Sequence, residues 1–275
     1  MQKLRSGFGY IGYFDILGYQ SFLENNEAEL ALSEVVGIIT NIDKHVTTTI
    51  LENLGHTSKA PESKDPQAEF RRNLEEIKWL IFSDTVLMLM EDEGPDLFPQ
   101  MFRAISFSLA VGVLFRNMFD LGLPLRGAIG RGKFVYSNNS FAGRTIVDAY
   151  RLANSLNLSA CAVHDAFLDA EKNKMHPSVA EFWNIYLVPY LTPLHDGHRR
   201  ITLLNHLFFP EPDDPLSKSG RGYGKRNLRQ EVLDRFWAHG KDIGPDADIK
   251  ASNTEKFIRY LFHAVTAVAE KQRRG

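Results

Sequence analysis

The sequence predicts an α+β fold, a mostly antiparallel sheet with helices packed on one face. Three observations carry that prediction. Tyr10 to Ile16 is a run of aromatic and aliphatic residues that turns at Gly18, the pattern of a buried strand entering a helix. Ile77 to Phe82 and Val86 to Met90 are two β-favouring runs joined by Ser83-Asp84-Thr85, the pattern of a hairpin with a polar tip. Between Leu97 and Asp120, Phe98, Met101, Ile105, Leu109 and Val113 recur at helical spacing.

The remaining elements follow in order. After Gly18 a helix is expected from Ser21 to about Leu54, broken once near Gly37, with Leu30, Leu32, Val35, Val36, Ile39 and Ile42 on its inner face. Residues 55 to 73 carry Pro61 and Pro66 among charges and read as a loop. Leu125 to Gly132 and Lys133 to Tyr136 form strand segments, Ser137 to Ser140 a polar loop, Gly143 to Leu156 a helix and Cys161 to Val163 a short strand. Beyond residue 170 the texture changes. Strands are expected at Ile185 to Leu191 and Ile201 to Leu207, a loop at Pro210 to Arg226, and helices at Leu228 to His239 and Asn253 to Glu270. The chain thus divides into residues 1–170 and a C-terminal extension, 171–275, packed on the same domain.

Composition narrows the function classes. With 275 residues, 44% hydrophobic and 24% charged, the chain buries a full core without staples. A net charge of −2 gives no global attraction to nucleic acid or membrane, so neither is an expected partner and a polyanion must be held locally. The single Cys161 excludes an intramolecular disulfide and a thiolate zinc site. The first residues lack the apolar run of a signal peptide and no stretch reads as a membrane span, so a cytoplasmic location is expected.

The chemistry concentrates in two aspartates. Asp15 ends the first strand and Asp84 sits in the hairpin turn, each beside apolar residues. A carboxylate so placed must be paired, protonated or bound to a cation. Alone, Asp15 reads as a helix N-cap and Asp84 as a turn residue. Together on adjacent strands they read as a metal site.

With Asp15-Ile16 followed by Gly18-Tyr19, the Ser83-Asp84 hairpin, the Arg126-Gly127-Ala128-Ile129 strand and Arg151 on the following helix, residues 8 to 170 resemble the catalytic domain of class III nucleotide cyclases. Within that family they look most like the bacterial pyrimidine cyclases of Pycsar antiphage systems. The resemblance implies a ferredoxin-like βααβ–βαβ cyclase sandwich with a C-terminal α/β extension. It implies that Asp15, Asp84 and Arg151 are catalytic, and that Asp15, Asp84 and the Ile16 carbonyl hold two Mn²⁺ or Mg²⁺ ions. Phe14, Ile16, Leu17, Gly18 and Tyr19 would bind the nucleotide, through amides and the positive end of a helix. Arg151 would serve the partner's site, which makes a homodimer obligatory. The expected reaction converts UTP or CTP to the 3′,5′-cyclic monophosphate and pyrophosphate, the product acting on a separate effector in antiphage defence.

Departures from the family pattern bear on the base. Leu80 stands where adenylate cyclases keep a base-reading lysine, Val147 where they keep a ribose-positioning asparagine, and Ser140 at the adenine-selecting position. Tyr19, Phe82, Thr85 and Arg131 are candidate neighbours of a smaller base. Arg126 reads equally as an ion pair with an acid such as Asp148, and Arg151 by itself as a solvated charge. Three alternatives remain open: a degenerate cyclase fold that binds a nucleotide or dimerises, a purine nucleotide cyclase, and another two-metal nucleotidyl enzyme. A haloacid-dehalogenase-type phosphatase needs a second acid at the place of Leu17.

Overall fold

A computed structural model of the chain describes residues 5–27, 29, 32–55, 66–92, 97–137, 140–172, 177–207, 227–241 and 244–274. Its centre is β1 (Arg5–Ile16), which pairs antiparallel with β3 (Thr85–Glu91) on one side and β4 (Leu125–Ser137) on the other. The hairpin partner β2 (Lys78–Phe82) lies outside β3, and β5 (Ser140–Ala142) folds back on β4. Beyond β4 come β6 (Cys161–Val163), in parallel, then β8 (Gly197–Leu204) and β7 (Leu187–Leu194) at the edge. The extension therefore continues the sheet, in the order β2-β3-β1-β4-β6-β8-β7.

Between β1 and β2 lie α1 (Tyr19–Asn25), a π-helical turn at Leu32–Val36 running into α2 (Gly37–Thr40), α3 (Ile42–Gly55) and α4 (Pro66–Glu76). The single long helix expected here is thus several short pieces. Part of the expected loop is the helix α4, whose first residue is Pro66, where its fixed φ and missing N–H suit a helix start. Residues 56–65 and the expected loop at 210–226 lie outside the described residues. The next helix, α5 (Leu97–Asp120), has the predicted bounds. It is followed in chain order by α6 (Arg144–Ser155), α7 (Asp165–Lys172), α8 (Pro177–Tyr186), α9 (Leu228–Trp237) and α10 (Pro245–Arg274).

The α+β class holds, but helices cover both faces of the sheet. On one face Tyr10, Phe14, Ile16, Met88 and Ile129 pack with Ile42, Ile50, Phe107 and Phe115. On the other, Ala128, Ala162 and Leu203 meet Ala149 and Ala153 of α6, Val232 of α9 and Phe257 of α10. The second core was hard to foresee because alanines let α6 approach the sheet closely while each contributes little apolar signal. Phe182, Trp183 and Tyr186 belong to α8, where Phe182 and Tyr186 stack at 4.9 Å, so the strand expected from Ile185 begins at Leu187.

By length and composition the Gln100–Asp120 segment could cross a bilayer, contrary to the expectation that no stretch could. Its most apolar window is 72% buried, packed between the sheet and α3 and α4. It is a core helix, and burial on nearly all sides explains its apolar character.

His206, 4% exposed, ties the two cores together at 6.1 Å from both the Phe115 and Phe257 rings. Burial, seconded by the charge on Arg116, pushes its pKa down to about 4. The unfolded chain takes up this proton near pH 6.5 and the folded chain only near 4. Stability should therefore fall as the pH drops through that window, by up to about 3 kcal/mol from this residue. Urea midpoints measured between pH 7 and 4 should show this loss for the wild type and a shallower one for His206→Gln.

Candidate active site at the end of the central strand

Asp15 and Asp84 meet because register brings them together. Across the sheet Asp15 lies opposite Thr85 of β3 and Arg126 of β4, and the Ile16 amide donates to the Asp84 carbonyl at 3.0 Å. The two-residue turn Ser83-Asp84 holds Ser83 at φ 54, a left-handed conformation at its first central position that glycine normally fills. That turn sets the Asp84 carboxyl within hydrogen-bonding reach of Asp15. Strain just before a functional side chain is one way a fold holds such groups together.

Asp15 is raised above the usual carboxylate range, first by burial, against which Arg126 works, and then by the nearby Asp84 charge. Arg126 donates to Asp15 Oδ2 from Nε at 2.9 Å and from a terminal nitrogen at 2.9 Å. The partner of Arg126 is therefore Asp15, and Asp148 lies 3.8 Å from Arg144 instead. This correction follows from the β1–β4 register, which places Arg126 directly opposite Asp15.

Most of the expected nucleotide-binding residues face inward. Phe14 is fully buried against Phe115 at 5.5 Å, and Ile16, Leu17 and Tyr19 are core residues at 2%, 6% and 8% exposure. The Leu17 amide is committed to the Pro124 carbonyl at 2.9 Å, so it is withdrawn from phosphate binding. Gly18, at φ 78, starts α1 with no side-chain cap, and its outward backbone is the part of this turn open to a ligand. Of the candidate base neighbours, Thr85 flanks Asp15 and Phe82 is 75% exposed beside the turn. Tyr19 is in the core. Arg131 lies five residues along β4 from Arg126, roughly 17 Å away at strand rise. There it pairs with Asp92 and stacks 4.5 Å from the Phe8 ring.

Arg151 is exposed on α6 and lines a groove of about 650 Å³ together with His164, Arg199 and Arg200. His164 is structural in part, because its Nδ1 accepts from the Ala166 amide at 3.1 Å and caps the start of α7. Sequence reasoning missed Arg199 and Arg200 as companions of Arg151. The β6–β8 pairing that brings them there spans an interval with no local signal.

The extension reaches the aspartate end of the sheet. Asn25 and Asn26 of the α1 end donate to the Gly240 and His239 carbonyls at 3.2 and 2.7 Å. The stem of Lys241 lies against Gly18, where an added Cβ would meet its Cδ at 3.1 Å, and its ammonium donates to the Gly122 carbonyl at 2.6 Å. That buried ammonium is pushed down to about 8 by desolvation. Further on, Asn253 donates to the Asn157 carbonyl at 2.9 Å and Thr254 Oγ1 accepts from the Ser159 amide at 2.8 Å.

Among the described residues no group of three or more His, Cys, Asp or Glu side chains could hold a metal. Two adjacent carboxylates nonetheless suit a hard cation such as Mg²⁺, which keeps several waters and completes its shell with substrate phosphates. The elevation of Asp15 by Asp84 is the repulsion that a cation between them would relieve.

No protein-family model and no curated protein matches the sequence. Solved structures similar to this chain include the catalytic core of a rhodopsin-guanylyl cyclase with converted specificity, at 13% identity and TM-score 0.40, covering 74% of this chain and 98% of the other. A guanylyl cyclase matches at 13% identity and TM-score 0.39, covering 74% and 92%. A bacterial light-regulated adenylyl cyclase matches at 11% identity and TM-score 0.39, covering 79% of this chain and 56% of the other. Similarity at this level does not define what the chain does.

Proposed function

We propose that the chain is a nucleotide cyclase of the class III type that converts a pyrimidine nucleoside triphosphate, UTP before CTP, to its 3′,5′-cyclic monophosphate and pyrophosphate. The observation that carries this reading is the Asp15–Asp84 pair, held together by sheet register and a strained hairpin turn. In the reaction the ribose 3′-oxygen forms a bond to the α-phosphorus, the bond to pyrophosphate breaks, and the hydroxyl proton passes to solvent. Two Mn²⁺ or Mg²⁺ ions on Asp15, Asp84 and the Ile16 carbonyl would activate the attacking hydroxyl and neutralise the triphosphate.

The chain's own residues divide the remaining work. Asp15 and Asp84 place negative charge where cations gather, and Gly18, the exposed residue of its turn, offers its backbone to a phosphate. Arg151, exposed in a groove with Arg199 and Arg200, offers guanidinium groups to a phosphoryl transition state. It would do so for a second copy of the chain, in a homodimer. Leu80, Val147 and Ser140 lack the groups that read adenine, which supports a pyrimidine. The cyclic product would act on a separate effector in antiphage defence.

Arg126 on Asp15 and the committed Leu17 amide favour a second reading, a cyclase-like fold that binds nucleotide without turnover. Incubation with UTP or CTP and Mn²⁺ separates the two. Formation of the cyclic monophosphate with equimolar pyrophosphate is expected. Metal-dependent binding without product would establish the second reading, and neither binding nor product would exclude both.

A further inference from the structure

The C-terminal helix α10 is anchored beside the start of β4, and two hydrogen bonds fix where it lies. Thr254 Oγ1 takes the Ser159 amide and donates to the Lys250 carbonyl one turn earlier at 2.7 Å. Ser159 in turn donates from Oγ to the carbonyl of Leu125 at 2.7 Å, and Leu125 is the residue opposite Ile16 on β1. At the other end of the segment, Lys241 lies against Gly18. Lys241 thus lies at the Gly18 turn and Thr254 at the start of β4, two points next to the end of β1 that carries Asp15. Lys250, one turn before Thr254, is half-buried and interacts electrostatically with Arg126, Asp246 and Asp15.

From this placement we infer that Lys250 is a polyphosphate-binding residue of the site, supplied by the C-terminal helix of the same chain. The inference rests on the reading of Asp15 and Asp84 as the centre of a nucleotide site. The charges that act on the Lys250 ammonium are the Arg126 guanidinium and the carboxylates of Asp246, one turn earlier on the same helix, and Asp15. Arg126 already donates to Asp15 through two nitrogens, whereas Lys250 has three donors on a flexible stem and suits a phosphate as a point charge.

The test is calorimetric titration of the full chain with inorganic tripolyphosphate in the presence of Mn²⁺, alongside steady-state kinetics with UTP and CTP. Lys250→Gln should bind tripolyphosphate about tenfold more weakly and raise KM by a similar factor, with kcat within about threefold and the melting temperature unchanged. Lys250→Arg should restore most of the affinity. Wild-type affinity in Lys250→Gln would overturn the inference. So would a wild type that does not bind tripolyphosphate, or a loss that Lys250→Arg does not rescue and that comes with a lowered melting temperature. Cyclic product from the wild type with unchanged Lys250→Gln would sink this inference alone. Lost tripolyphosphate binding in that variant, with no cyclic product from the wild type, would sustain it and sink the cyclase reading.

Discussion

Asp84→Ala is expected to abolish cyclic-nucleotide formation, by at least about 10³-fold, which corresponds to roughly 4 kcal/mol of lost transition-state stabilisation. The fold should survive, because Asp84 is in a turn and its backbone carbonyl, which pairs with the Ile16 amide, is retained. Stability should even rise at neutral pH. A carboxyl raised above its unfolded value favours the fold while protonated, and that contribution is lost as the pH climbs through the folded pKa. Removing the Asp84 charge lowers the Asp15 pKa toward its ordinary value and so recovers part of the loss above it. Product assays give the first half of the result, and thermal melts at pH 5 and pH 8 give the second. Wild-type turnover in Asp84→Ala would remove this aspartate from the reaction.

The largest stability effect is expected at the opposite end of the same strand. A Cβ added at Gly9 would lie 2.0 Å from the Met90 carbonyl oxygen, 2.8 Å from the Asp92 nitrogen and 2.9 Å from the Glu91 Cα. All three are backbone atoms, of β3 or of the residue just past its end, so no side chain can swing aside. Gly9 is also paired on its other edge with Gly132 of β4, so β1 cannot shift without disturbing both neighbours. Gly9→Ala should cost upwards of about 3 kcal/mol, a large share of the 5–15 kcal/mol typical of a domain. Gly37→Ala is the control, since nothing lies within 4 Å of its added Cβ and it starts a helix, where the change should be neutral or stabilising by up to about 1 kcal/mol. Urea midpoints compare the two, and a Gly9→Ala midpoint equal to that of Gly37→Ala would refute the packing argument.

What the sequence made legible was set by local pattern. The α5 bounds, the strand into Asp15 and the Ser83-Asp84 turn each rest on residues within a few positions of one another. The site partners of Asp15 were less accessible. Its pairing with Arg126 depends on the register of two strands more than a hundred residues apart, and spacing along the chain does not encode register. The second core escaped for a related reason, since β4, β6 and α6 enter it through alanines whose small faces carry weak periodic signal, while its larger residues come from distant elements such as α9 and α10. Leu17 and Tyr19 were expected on the ligand side through their amides, and the burial of their side chains was not legible because a turn motif specifies backbone course and not which side chains the rest of the fold will bury. Lys250 could not be placed from sequence, because what brings it to Asp15 is the long-range anchoring of α10 through Thr254 and Ser159.

The most direct measurement is the product of a single reaction containing ATP, GTP, CTP and UTP together with Mn²⁺, run with the full chain and with Asp84→Ala and read by mass spectrometry. A 3′,5′-cyclic pyrimidine monophosphate, cUMP ahead of cCMP, is predicted from the wild type and none from the variant. Cyclic AMP or cyclic GMP as the main product would contradict the assignment of the base, and the absence of any cyclic nucleotide from the wild type would contradict the cyclase itself.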